Sequence, residues 1–151
     1  MSNKVLATNR KARFEYFLLD HYEAGLVLRG SEIKSIRARH ISIAEAYVRI
    51  VDDEAWLIDA HIAPYDQASH FNHEPRRPRK LLLHRSELKR LYKAVQSKGV
   101  TIIPTKVYLK NGRAKVEIAL AKGKKRHDKR QVIAKRDVER ELQRQLQNRG
   151  R

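Results

Sequence analysis

Three sets of side chains in this sequence have the right types to do chemistry. Asp52, Asp53 and Glu54 form its densest acidic run, and hard carboxylate oxygens are what a divalent cation needs. They lie between two alternating apolar runs, however, where acids commonly occupy a solvated hairpin tip. His70 and His73 are three apart, a spacing at which two imidazoles share a zinc ion on one helix face. Asn72 and Pro75 break any helix there, and no further ligand is suitably spaced. No Gly-rich phosphate loop, Ser/His/Asp set or His-x-x-Glu-His pattern appears. Cysteine is absent, which excludes disulfides, thiol catalysis, iron–sulfur clusters and Cys-based zinc sites. The chain reads as a non-enzyme with no metal or cofactor. A metal-dependent nuclease using Asp52, Asp53 and His61 stays open as the catalytic alternative.

The third set is basic and far larger. The 151 residues hold 34 Lys and Arg against 17 Asp and Glu, a net charge of +17. Such an excess calls for a polyanionic partner, and nucleic acid is the commonest. The cations are clustered: Asn9-Arg10-Lys11-Ala12-Arg13, then Arg76-Arg77-Pro78-Arg79-Lys80, then Lys110, Arg113 and Lys115 around an Asn-Gly pair, then Lys122-Gly123-Lys124-Lys125-Arg126. A face built only for solubility would scatter Lys among Glu, and these clusters contain almost no acid. Neutralising several phosphates at once makes binding tight at low salt and steeply salt-dependent. Basic clusters beside aromatics and loop edges suit RNA recognised by shape and stacking. A generic ribosomal or assembly protein and a DNA-compacting protein remain open on charge alone.

The elements that must position these residues divide near Lys122. All ten aromatic residues and all four prolines precede it, so the first 121 residues can build a core. Alternation predicts strands at Ala46–Val51, Trp56–Ile62, Thr101–Leu109 and Ala114–Ala121, the last two joined through Asn111-Gly112 as a type I′ hairpin. In the last strand Val116, Ile118 and Leu120 face one way, and Lys115 and Glu117 the other. Tyr16–Leu28 reads as a strand pair or one bent strand with its irregularity at Gly25. Two helices are predicted, Ser31–Arg39 with Ser31 as N-cap and His84–Lys98 with Leu88, Leu91, Tyr92 and Val95 on one stripe. Pro64–Lys80 reads as an irregular basic loop. The sum is a mainly β (α+β) fold, an OB-like β-barrel with small helices, over residues 1–121.

Residues 122–151 hold twelve Lys and Arg against four acids. Ala134, Val138, Leu142 and Leu146 form a single i+4 row, narrower than the ~100° stripe of a core-docked helix. Ordering each residue costs roughly 1–2 kcal/mol, which so thin a stripe does not offset. The expectation is a basic C-terminal tail that is disordered when free and helical against an anionic surface. No apolar run approaches the roughly 20 residues needed to cross a bilayer, and the first thirty residues lack the apolar core of a secretory signal. A cytoplasmic protein without membrane contact is expected.

Taken together, Asn9-Arg10-Lys11-Ala12, Tyr22-Glu23-Ala24-Gly25-Leu26, Leu28-Arg29-Gly30-Ser31-Glu32-Ile33-Lys34-Ser35, Arg77-Pro78-Arg79-Lys80-Leu81-Leu82-Leu83 and Ala121-Lys122-Gly123-Lys124-Lys125-Arg126-His127-Asp128-Lys129-Arg130 resemble the small protein B family, the SsrA-binding proteins of bacteria. Ser31, where Thr is also common, and Arg126 are local departures from the pattern. The resemblance implies an adaptor that holds the tRNA-like domain of transfer-messenger RNA and delivers it to stalled ribosomes for trans-translation. It implies Asn9, Glu23, Leu82 and Lys115 as contacts to that domain, with Lys11, Arg13, Arg79 and Lys80 supplying charge. It further implies a tail lying in the decoding site and the empty messenger channel against small-subunit rRNA. There Lys122, Lys124, Lys125, Lys129 and Arg130 would neutralise phosphates, Gly123 would act as a hinge, His127 would stack, and Asp128 would sit near the helix start. Ribosome association, and delivery of alanyl-transfer-messenger RNA with elongation factor Tu and GTP, follow from the same resemblance.

Overall fold

A computed structural model describes residues 4–65 and 72–124. Among the described residues the order is β1 (Lys4–Thr8), α1 (Arg10–Glu15), β2 (Tyr16–Leu26), α2 (Gly30–Arg37), β3 (Ile41–Ser42), β4 (Tyr47–Val51), β5 (Glu54–Ile58), β6 (His61–Ile62), β7 (Arg79–Leu82), α3 (Arg85–Val95), β8 (Val100–Lys110) and β9 (Arg113–Gly123). Six strands close on themselves in the order β8–β4–β5–β7–β2–β9, with β9 pairing back to β8. This is the mainly β, OB-like barrel that the alternation predicts. β1 continues the outer edge of β8 beyond β4, with Lys4 opposite Leu109 and Val48 of β4 opposite Ile102.

Local chemistry accounts for the hairpins. Asn111 and Gly112 take φ of 54° and 76°, the two positive values a type I′ turn demands. Asp52 and Asp53 repeat that geometry at 51° and 61° between β4 and β5, which places the acidic run at a hairpin tip. Val116 and Ile118 are fully buried and Leu120 nearly so, as their alternation requires. Ile36 of α2 and Leu91 of α3 drop into the same core with Leu57, Ile102 and Val107.

Several expectations are corrected. β1 and α1 were not legible, because Lys4–Thr8 alternates poorly and the six residues of α1 are too few for a period. Trp56–Ile62 is not one strand. Asp59 at φ 60° turns the chain, leaving β5 in the barrel and sending β6 to pair with β3 outside it. β2 is a single strand, and its register breaks between Leu18 and His21 rather than at Gly25. Ser31 does not cap α2. The Arg29 N–H instead donates to Glu32 Oε1 at 2.8 Å, and the Ser31 hydroxyl meets His73 Nδ1 at 2.8 Å. His73 Nε2 lies 2.8 Å from the Ile62 carbonyl, which can only accept, so Nε2 carries the ring proton there. His70 lies outside the described residues.

The basic run at 76–80 is the largest surprise. Arg79 is 0% exposed, with Nε on Glu32 Oε2 at 2.6 Å, Nη1 on the Ala60 carbonyl at 2.7 Å and Nη2 on the Pro75 carbonyl at 3.0 Å. Arg77 also donates to both oxygens of Glu32, with Nε at 3.0 Å from Oε2. One fully buried carboxylate thus gathers two guanidinium groups and a backbone N–H. Burial alone would raise the Glu32 pKa, but hydrogen bonds from Arg77, the Arg29 backbone and Arg79 outweigh it and hold the carboxyl below its ordinary value.

Removing one partner from such a site leaves an uncompensated buried charge. Glu32→Gln is therefore expected to cost about 3–5 kcal/mol in urea denaturation at neutral pH. A depressed carboxyl stabilises the fold fully above its unfolded value and ceases to do so as pH falls through the folded one. The wild-type chain should accordingly lose stability below about pH 4, and the Glu32→Gln variant should show a flatter acid limb.

Candidate nucleic-acid interface

Strand register sets one row of side chains across five strands of the barrel wall. Leu82 of β7 lies opposite Gly25 of β2, Gly25 opposite Lys115 of β9, Lys115 opposite Tyr108 of β8, and Tyr108 opposite Val5 of β1. Lys115 alternates with the buried Val116, so this row faces outward. Leu82 is 56% exposed, a large apolar side chain left in water. A Cβ on Gly25 would stand 3.2 Å from that of Leu82, so the missing side chain is what lets Leu82 lie across β2. The adjacent row carries Glu23, Glu117 and Lys106, each opposite the next.

Glu23 is the acid amid these cations. Its Oε2 accepts from the Tyr108 hydroxyl, and its Oε1 is 3.4 Å from Lys110 Nζ. The Tyr108 hydrogen bond, then the charges of Lys110 and Lys115, hold the Glu23 carboxyl below its ordinary value. Burial, reinforced by Glu23, pushes the Tyr108 phenol upward, so this hydroxyl stays a donor. Lys106 Nζ sits 5.6 Å from the centre of the Tyr108 ring. Glu23 is thus an ionised acceptor, half-exposed, with lone pairs free for base amino groups or ribose hydroxyls. Lys115 makes no ion pair with a described residue and stands ready for a phosphate.

Beside this face, an open pocket of about 580 Å³ is lined by Arg10, Arg13, Phe14, His21, Lys106 and Lys124, among others. Asn9 forms its floor and is 8% exposed. Its Oδ1 accepts from the Ala12 N–H at 3.2 Å, capping α1, and its Nδ2 donates to the Pro104 carbonyl at 2.9 Å. Its own N–H donates to the Thr105 carbonyl at 2.8 Å. These carbonyls belong to the bulge where β8 shifts register between Pro104 and Lys106. Asn9 is therefore a clasp that seats α1 on the bulge and shapes the pocket.

The remaining predicted residues scatter. Lys11 pairs with Glu45 at 3.2 Å and Glu15 at 3.8 Å, and Lys80 with Glu54 at 3.2 Å, all at the surface. Arg13 is exposed beside the pocket. The assignment of Arg79 to the RNA-contacting set is overturned, because its guanidinium is sealed under α2 and cannot reach a phosphate. Gly123 is not a hinge: it pairs with Tyr16 as the last residue of β9, so the sheet extends past the expected boundary at 121. Lys122 is exposed on the same strand, and Lys124 lies with Nζ 5.2 Å from the Phe17 ring centre. Lys125, His127, Asp128, Lys129 and Arg130 lie outside the described residues, as does the rest of the expected tail. Tyr108 was missed. Its hint was legible: the two-residue Asn111-Gly112 hairpin pairs Lys110 with Arg113 and therefore Tyr108 with Lys115. Among the described residues no three His, Asp or Glu side chains converge to hold a metal ion.

The sequence pattern of the SmpB protein family matches residues 6–148 of this chain. The chain belongs to the SmpB family. It is 56% identical over 141 residues to the SsrA-binding protein of Desulforudis audaxviator (strain MP104C), covering 93% of this chain and 92% of that one. It is also 56% identical over 149 residues to the SsrA-binding protein of Roseiflexus sp. (strain RS-1), covering 98% and 94%. A solved structure described as "tmRNA-SmpB: a journey to the center of the bacterial ribosome" superposes with a TM-score of 0.70 at 43% identity, over 86% of this chain and 94% of that one. Family and geometry point to the same barrel.

Tyr108→Phe removes the hydrogen bond that does most to keep Glu23 ionised. The Glu23 carboxyl should move up toward its ordinary value, as followed by side-chain carboxyl NMR through an acid titration. An unmoved titration would assign the effect to Lys110 and Lys115 instead.

Proposed function

We propose that this chain is an RNA-binding adaptor of trans-translation, which holds the tRNA-like domain of transfer-messenger RNA and brings it to stalled ribosomes. The row Leu82–Gly25–Lys115–Tyr108, with Glu23 beside it, carries the reading. It offers apolar contact for a base or sugar, a cation for phosphate and an ionised acceptor for base edges, the combination that folded RNA requires. The face is preformed by the barrel, so binding does not have to order it. Lys11, Arg13 and Lys80 add charge around it, while Asn9 acts by shaping the neighbouring pocket. The names of the relatives, SsrA-binding proteins, and the ribosomal setting of the solved structure favour the same partners.

In this reading the basic tail from Lys122 onward engages the ribosome. Lys122, Lys124, Lys125, Lys129 and Arg130 neutralise rRNA phosphates in the decoding site and empty messenger channel, and His127 stacks there. A channel occupied by messenger would exclude the tail, which supplies selectivity for stalled ribosomes. The protein works in the cytoplasm as a carrier without chemistry of its own. Elongation factor Tu and GTP accompany the aminoacylated RNA.

The test is a competition between the tRNA-like domain and ordinary transfer RNA at fixed salt, in which the tRNA-like domain should win. Leu82→Ala and Lys115→Ala should each weaken its binding about five- to thirtyfold, a loss of roughly 1–2 kcal/mol. Lys115→Ala should also reduce the salt slope by about one. Deleting residues 128–151 should leave that affinity within about twofold and abolish peptide tagging in a reconstituted translation system. Equal affinity for both RNAs would overturn the proposal.

A further inference from the structure

Phe17 is the one phenylalanine among the described residues that stands largely in water, at 48% exposure, with Leu19 equally exposed two residues on. Register shows which way it points. Leu18 and Ala121 face each other under α1, packed with Ala12, Ile103 and Tyr16 in a small second core. Phe17 and its partner Lys122 therefore project from the opposite face of the sheet. Lys122 continues the inward row Val116–Ile118–Leu120, but past the end of the barrel, where no core remains to cover it. Lys124 lines the basic pocket beside the Glu23–Lys115 surface, so the ring stands at the sheet end where the two sides meet.

The ring is surrounded by positive charge. Lys122 is directly across from it, and Lys124 Nζ lies 5.2 Å from the ring centre while donating to the Arg13 carbonyl at 3.2 Å. The Lys124 N–H donates to the Glu15 carbonyl at 2.9 Å, which fixes the chain beside the ring. The nearest carboxylate on α1, Glu15, is shared with Lys11 at 3.8 Å. Neither Lys122 nor Lys124 makes an ion pair with a described residue. An exposed aromatic ring flanked by unpaired cations is the arrangement by which proteins stack an unpaired nucleobase and hold its phosphates.

We propose that Phe17 is a base-stacking platform that takes an unpaired nucleobase of ribosomal RNA, with Lys122 and Lys124 on the adjoining phosphates. The assignment to ribosomal RNA rests on the functional reading above, in which the chain from Lys122 onward engages the ribosome. A body gripping one RNA on its outer wall thereby presents a second foothold where β9 ends.

The experiment measures affinity of the full chain for two probes at matched salt, purified empty small ribosomal subunits and the isolated tRNA-like domain. Phe17→Ala and Phe17→Leu should each weaken subunit binding roughly tenfold and leave the tRNA-like domain within about twofold, with thermal unfolding unchanged. Phe17→Trp should restore or tighten subunit binding. A Phe17→Leu variant that binds subunits like wild type would overturn the proposal, because apolar bulk and not stacking would be the contact. Equal losses on both probes would overturn the assignment to ribosomal RNA. Deleting residues 125–151 and finding the Phe17→Trp emission newly exposed would show that the tail covers the ring, and would also overturn it. Lys115→Ala, losing the tRNA-like domain alone, tests the outer face separately.

Discussion

Closure of the barrel through β7 is the constraint on which this protein's surface depends. β7 has only four residues, and its seam with β2 is Gly25–Leu82, Leu26–Leu81 and one bond from the Val27 N–H to the Lys80 carbonyl at 3.0 Å. So short a seam has few ladder hydrogen bonds to hold it. On its other side β7 pairs with β5 from Leu57–Arg79 to Ala55–Leu81, and its first residue is anchored by the Arg79 guanidinium, locked to Glu32 of α2 and to the carbonyls of Ala60 and Pro75. The desolvation cost of two charges in such a site is large, and the multiple hydrogen bonds are what offset it. The result is directional. With the β5–β7 ladder it holds the strand from which Leu82 emerges three residues later, exposed and laid over a glycine.

A similar economy operates at the other end of this wall. The bulge at Pro104–Lys106 leaves the carbonyls of Pro104 and Thr105 outside the regular ladder. Asn9 accepts that opportunity, taking both while capping α1. One side chain thereby joins a helix start, a strand irregularity and the floor of the basic pocket. Between these two fixed points the long β8–β9 hairpin carries Tyr108 and Lys115 in adjacent positions, with Glu23 held by the tyrosine hydroxyl. The acid in the middle of a basic face is thus kept charged and aimed, not merely tolerated.

The cations divide by what they meet within the fold. Arg77, Arg79, Lys11, Lys80 and Lys110 are all engaged by carboxylates within the fold. Among the described residues, no carboxylate pairs with Lys115, Lys122 or Lys124. In the sequence these residues look alike, because a run such as Arg76-Arg77-Pro78-Arg79-Lys80 says nothing of a glutamate some 45 positions away. The net charge was a sound guide to the class of partner and said nothing of which cations the fold pairs internally.

The sequence by itself determined what depends on neighbours along the chain. Asn111-Gly112 dictated a type I′ hairpin, alternation placed the inward row Val116–Ile118–Leu120, the i, i+3, i+4, i+7 stripe with Leu91 set α3, and the ordered motifs pointed to the family. Tertiary structure decided everything that depends on register between distant strands and on burial. Only it put Gly25 beneath Leu82, set Tyr108 beside Glu23, buried Arg79 beneath α2 and stood Phe17 at the sheet end beside Lys124. The physical reason is range: turn and helix preferences act over a few bonds, whereas a pairing register or a buried ion pair is the joint property of segments that meet only when the barrel closes.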